Sequence, residues 1–117
     1  MTKLLLDTSF IITAAKNKLD IFEELLDYKL IIPKQVIVEL QGLAKSKINA
    51  SLALKIVEVN KELFTSPDLK TKNTDYGIKK YAKENPTTII ATLDREIKKE
   101  VKNMKMVIRN KKKFDLI

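Results

Sequence analysis

Lys3-Leu4-Leu5-Leu6-Asp7-Thr8-Ser9-Phe10-Ile11-Ile12 is the stretch on which the fold turns. Three leucines in succession show neither the alternation of a half-buried strand nor the length of a helix. They read as a short strand buried on both faces. Asp7 ends the run, Thr8 and Ser9 are helix-cap residues, and Phe10-Ile11-Ile12 with Ala14 and Ala15 begin a helix.

The same pattern recurs down the chain. Leu19, Phe22, Leu25 and Leu26, with Ile21 on their flank, predict a helix over 19–27. Leu30-Ile31-Ile32 is a second short strand, stopped by Pro33, a residue suited to helix entry. Val36, Leu40, Leu43 and Ala44 fall on one helical face and predict a helix over 34–45. Leu52, Ile56, Val59 and Leu63 predict another over 49–62, and Leu63-Phe64-Thr65 a short strand before a polar loop at 66–73. Ile78, Tyr81 and Ala82 mark a helix over 75–84, closed by Asn85-Pro86. Thr87 to Thr92 is a β-branched strand, Asp94 to Val101 a helix, and Met106-Val107-Ile108 a last strand. Such alternation predicts an α/β fold, a three-layer α/β/α sandwich around a mostly parallel sheet of about five short strands. Residues 1–117 are the length of one domain.

Composition narrows the chemistry. The chain has no cysteine and no histidine. Disulfides, thiolate nucleophiles, zinc ribbons and iron–sulfur clusters are excluded, as are Ser-His-Asp triads and His-ligated metals. Catalysis has to use carboxylates, hydroxyls, lysines or a hard metal held by oxygen. The net charge is +8, and 21 of the 23 basic residues are lysine. That balance favours an anionic partner, nucleic acid first, with lysine-based solubility as the plainer explanation. No apolar stretch approaches the roughly 20 residues of a membrane span. The start, Met1-Thr2-Lys3 and three leucines, is too short in apolar residues for a secretion signal, so the expected location is the cytoplasm.

In parallel α/β sheets ligands bind beyond the carboxyl ends of the strands, where the strand order reverses. Acids that end strands are therefore the ones to watch. Asp7 follows Leu4-Leu5-Leu6, and Asp94 follows the strand through Ile89-Ile90-Ala91. Asp75 begins the helix of Ile78, and Glu39 lies beside the apolar stripe of the 34–45 helix, aimed along the core edge toward the sheet rim. Each has a plainer role, as a helix cap or a solvated charge. Together at one sheet edge, they would repel one another, and a divalent cation would relieve that repulsion. An all-oxygen site suits magnesium or manganese.

Four segments together resemble the PIN-domain family of metal-dependent ribonucleases. Leu5-Leu6-Asp7-Thr8-Ser9 is similar to the family's N-terminal signature. Pro33-Lys34-Gln35-Val36-Ile37-Val38-Glu39-Leu40 is similar to its Pro-x-x-Val-x-x-Glu-Leu helix. Asp75-Tyr76-Gly77-Ile78-Lys79-Lys80-Tyr81-Ala82 is similar to its third motif, and Ile90-Ala91-Thr92-Leu93-Asp94-Arg95-Glu96 to its last strand end. Tyr76 stands where many relatives have a second Asp, and Leu93 where many have Asn. Both departures bear on a second metal and on substrate placement.

The resemblance implies hydrolysis of RNA phosphodiesters, leaving 5′-phosphate and 3′-hydroxyl ends. Asp7, Glu39, Asp75 and Asp94 would hold one or two magnesium or manganese ions, with Glu96 as an extra ligand. Thr8, Ser9 and Thr92 would support them by hydrogen bonds. Lys79, Lys98, Lys99, Lys102, Lys111, Lys112 and Lys113 are candidate phosphate contacts, though such runs are usually solvated faces. Asp20 to Leu25 and Glu39 to Ala44 look most like the archaeal branch that processes small-subunit ribosomal RNA. Two alternatives stand beside an rRNA-processing enzyme: a toxin with a protein antitoxin partner, and a non-catalytic RNA-binding or ribosome-assembly module; a homodimer is the expected assembly if the chain pairs with itself. A response-regulator receiver is set aside, because Asp7 has no acidic neighbour and no Asp lies between Asp27 and Asp68.

Overall fold

The computed structural model describes residues 1–117. Its elements are β1 (Lys3–Leu6), α1 (Thr8–Lys16), α2 (Ile21–Glu24), β2 (Lys29–Ile31), α3 (Lys34–Ala44), α4 (Ile48–Val59), β3 (Phe64–Thr65), α5 (Thr74–Glu84), β4 (Ile89–Ala91), α6 (Arg95–Glu100), β5 (Lys105–Arg109) and β6 (Lys113–Leu116). A single 3-10 turn, Lys61–Leu63, leads into β3.

The strands form one sheet in the order β3-β2-β1-β4-β5-β6. All pairings are parallel except β5 with β6. The chain starts in the centre, builds outward through β2 and β3, then returns to β4 on the other side of β1. The order therefore reverses between β1 and β4. Right-handed crossovers that run in opposite directions put their helices on opposite faces. Accordingly α1, α3 and α4 pack on one another, and α5 packs on α6. The result is the three-layer sandwich expected from the sequence.

Leu4, Leu5 and Leu6 are wholly buried, sandwiched between the two helical layers as a continuous apolar run requires. Each buried leucine stabilises the fold by about 1.5–3 kcal/mol relative to exposure. Phe10, Val36, Leu40, Ile78, Ile90 and Ile97 complete a core drawn from both layers. No helix is long and apolar enough to cross a membrane.

Three elements differ from expectation. The helix expected over 19–27 is only four residues long. Asp20 caps it by accepting from the Glu23 amide, but the Lys29 amide bonds the Thr2 carbonyl at 2.8 Å as the pairing of β2 with β1 begins. The Tyr28 amide bonds the Leu25 carbonyl at 3.1 Å, and that turn ends the helix before β2 begins. The strand expected over 87–92 shrinks to 89–91, because the buried Asn103 side chain donates to the carbonyls of Asn85 and Thr88 and replaces ladder bonds there.

The third difference is an added strand, β6. Asn110 and Lys111 both adopt positive φ, 52° and 58°, and turn the chain back on β5. Asn-Gly is the usual signal for such a turn, and Asn-Lys hides it. Phe114 of β6 stacks on Phe10 of α1 with centroids 5.3 Å apart, which anchors the hairpin beside the helix that follows Asp7.

Candidate active site

Asp7 and Asp94 leave the carboxyl ends of β1 and β4, the two strands between which the order reverses. The Asp7 amide bonds the Ala91 carbonyl at 2.9 Å and prolongs that pairing by one residue. The strand then yields to a helix, and the Asp7 side chain caps α1. Its Oδ1 accepts from the Thr8 amide at 2.7 Å and its Oδ2 from the Thr92 hydroxyl at 2.7 Å. Thr92 Oγ1 accepts in turn from the Asp94 amide at 3.1 Å, and Ser9 Oγ from the Leu93 amide at 3.3 Å. Asp94 Oδ1 accepts from the Ile97 amide at 3.0 Å and caps α6. One lattice of short side chains thus ties the ends of β1 and β4 together.

Asp7 is only 4% exposed. Burial pushes its carboxyl above the ordinary aspartate value; the Thr92 and Thr8 hydrogen bonds oppose that rise, and the charges of Asp75 and Glu39 add to it. Two acids from separate helices therefore act on the buried one. Asp75 lies in the first turn of α5, but the cap there is Asn73, whose side chain accepts from the Tyr76 amide at 2.9 Å. The Asp75 carboxylate is thus exposed and not used as the cap. Glu39 is exposed on α3 and lines a cleft with Gln35, Thr71, Lys72 and Thr74. The loop over 66–73 bridges these two helices. Gln35 donates to Asp68 at 2.8 Å and accepts from the Leu69 amide at 3.0 Å. On the other side Leu69 and Thr71 press on Gly77 of α5 so closely that a β-carbon there would lie 2.9 Å from each.

No three acidic side chains are grouped closely enough to hold one ion as they stand. The structure brings Asp7, Thr92 and Asp94 into one network and puts Asp75 and Glu39 within electrostatic reach of Asp7. Glu96 goes elsewhere: it faces Lys79, with 3.9 Å between Oε1 and Nζ. The donor set still fits a hard cation. It is all oxygen, it centres on a buried carboxylate under like-charge repulsion, and Thr8 Oγ1 beside it is buried without any hydrogen-bond partner.

The lysines divide into groups. Lys79, Lys80 and Lys83 line a cleft of about 1010 Å³ together with Asp75, Tyr76, Glu96 and Glu100. Lys102 lines an adjoining cleft with Lys79 and Lys83. Lys98 and Lys99 close α6. Lys111 and Lys112 form the β5–β6 turn and Lys113 begins β6, projecting from the same carboxyl edge as Asp7 because β5 runs parallel to β4. Leu93 packs its side chain against the core and offers the site only its backbone. Two residues escaped sequence reasoning. Gln35 carries no signal outside the fold, whereas Glu100 stands four residues after Glu96, a spacing that puts both on one helix face.

Comparison with known proteins agrees with this fold. The family model described as "PIN like domain" matches residues 4–113, and the chain belongs to that family. It is 30% identical to ribonuclease VapC4 of Methanocaldococcus jannaschii over 127 residues, covering 99% of this chain and 97% of the relative. Among solved structures it is similar to the PIN domain endonuclease Utp24, with a TM-score of 0.82 at 23% identity, covering 97% of this chain and 90% of the other. A domain of a functionally unknown protein from Methanocaldococcus jannaschii matches with a TM-score of 0.57 at 23% identity, over 83% and 81% of the two chains.

Proposed function

We propose that this PIN-like domain is a metal-dependent endoribonuclease. The observation that carries the reading is the Asp7 carboxylate: buried between β1 and β4, held on both oxygens, and pressed by the charges of Asp75 and Glu39. Membership of the family and the likeness to ribonuclease VapC4 support it. Asp7, Glu39, Asp75 and Asp94 would hold the divalent ion, magnesium or manganese. Such an ion supplies Lewis acidity and a nucleophile at neutral pH in a chain without histidine.

The protein's own groups do the rest. Thr92 and the Thr8 amide fix the Asp7 carboxylate in one orientation, so little is lost to reorganisation when the site is loaded. Asp94 keeps Oδ2 free while Oδ1 caps α6. The Thr8 hydroxyl, buried without a protein partner, is a spare donor beside Asp7. Lysines along the cleft and the β5–β6 turn draw the RNA backbone to an edge that is otherwise acidic.

The test is cleavage of single-stranded RNA with and without manganese, wild type against Asp7→Asn. The expected result is cleavage by wild type only, with manganese, leaving 5′-phosphate ends. Equal cleavage by the variant ends the proposal. For the substrate, the resemblance of the segments Asp20 to Leu25 and Glu39 to Ala44 to the rRNA-processing branch favours ribosomal RNA. A second reading, a toxin restrained by a small antitoxin protein, is favoured by the likeness to ribonuclease VapC4. Co-purification of an inhibitory small protein would decide for it.

A further inference from the structure

Asp75, Lys79 and Lys83 recur every four residues on α5, and Glu96 and Glu100 do so on α6. Residues at that spacing share one helix face. Because α5 packs on α6, the two stripes meet. Lys79 Nζ lies 2.7 Å from Glu100 Oε2 and 3.9 Å from Glu96 Oε1. The lysine side chain is 25% exposed, against 69% for Glu96 and 49% for Glu100. The cation is thus the most sheltered member of the group, held at the wall of the cleft that Asp75 also lines.

We propose that Lys79 is the phosphate contact of this active site and that Glu100 and Glu96 aim its ammonium, Glu96 serving the lysine and not the metal. The inference rests on the endoribonuclease reading above and extends it to residues that reading leaves out. An ammonium has three donors. Glu100 occupies one, so Lys79 can bind a phosphate oxygen while still tethered. The hydrogen bond that Lys79 donates to Glu100 and the nearby charges of Glu96 and Asp75 hold Lys79 in its charged form. Lys79, Lys80 and Lys83 stand against the acids that line the cleft, and Lys79 is the one of the three that an ion pair holds in place. Half-exposed ion pairs contribute little to stability, so the pair does not have a folding role that would explain it.

The experiment uses the full chain and a single-stranded RNA oligonucleotide. Binding is followed by anisotropy across salt concentrations, and manganese-dependent cleavage gives kcat and KM. Lys79→Met is expected to lower kcat/KM about tenfold to a hundredfold, as loss of a charge-assisted contact to reacting phosphate does. It should also reduce the salt slope by about 0.7, one phosphate contact on a single strand. Lys79→Arg should recover most of both. Glu100→Gln separates aiming from bulk charge. Removing an acid alone would tighten RNA binding and leave kcat intact; the aiming role lowers kcat about threefold to tenfold despite tighter binding. Glu100→Gln added to Lys79→Met should lower it no further.

Glu96→Gln should leave manganese affinity of the free protein unchanged by calorimetry. A wild-type protein that cleaves, with Lys79→Met cleaving equally or Glu96→Gln losing manganese, overturns this inference alone. A wild-type protein that fails to cleave with manganese removes the endoribonuclease reading and this with it. If Lys79→Met melts below the assay temperature, Lys79→Gln takes its place in the same measurements.

Discussion

Two networks of charged and polar residues, one where β1 and β4 end and one between α5 and α6, are built on opposite terms. At the strand edge, Asp7, Thr92 and Asp94 are buried or half-buried and satisfied by short hydrogen bonds. On the helix rim, Lys79, Glu96 and Glu100 are long side chains joined across a partly solvated gap. The strand-edge group is rigid and under electrostatic strain. The rim group is nearly free of energetic consequence for the fold. The lesson is that burial, not charge, decides which residues tie stability to function.

Asp7→Asn puts the most weight on that contrast. RNA cleavage should fall by about a thousandfold or more, the scale of losing preorganised electrostatic machinery. Millimolar manganese should raise the melting temperature of wild type but not of the variant. The same substitution should stabilise the metal-free fold. Burial raises the Asp7 carboxyl, so the native chain binds that proton more tightly than the unfolded one. Stability is therefore lost as pH rises from the ordinary aspartate value through the raised one. In EDTA at pH 7, Asp7→Asn should melt above wild type, with the gap closing in acid; an equal or lower melting point at pH 7 contradicts the strain.

Thr92→Val comes next. It removes the donor to Asp7 Oδ2 and the acceptor for the Asp94 amide. Leaving buried groups unpaired should cost about 1–3 kcal/mol in urea unfolding. A neutral result would mean that water replaces the hydroxyl and the edge is looser than it looks. Gly77→Ala probes the contact that spaces Asp75 from Glu39. Its new methyl meets Leu69 and Thr71 at 2.9 Å, and the overpacking outweighs the gain in helix propensity. The expected net loss is about 1 kcal/mol. A stabilised variant would show that the 66–73 loop yields freely. Smallest of all is Lys79→Met, whose melting temperature should match wild type within the scatter of repeat scans. A clear drop would move the rim pair into the same class as the strand edge.

Much of this was legible in the linear chain. Continuous apolar runs such as Leu4-Leu5-Leu6 can only be satisfied between two layers, so they announce a parallel sheet. Asp7 and Asp94 stand out because each interrupts or follows such a run. Glu96 illustrates the limit. Nothing in its own segment says that its side chain lies 3.9 Å from Lys79 on the neighbouring helix α5. The strand β6 was hidden for a different reason. Its residues, Lys113-Phe114-Asp115-Leu116, read as the end of a lysine run, and only the Asn110–Lys111 turn and the stacking of Phe114 on Phe10 make them a strand.

By itself the chain determined its layers, its parallel crossovers and the positions where acids end strands, because periodicity and chain direction are local properties. Tertiary structure alone decided that Thr92 holds Asp7 and that Lys79 claims Glu100. Those outcomes depend on angstrom-scale approach between residues as many as 85 positions apart. Hydrogen bonds and ion pairs fall off over such short distances that no pattern along one segment can encode them.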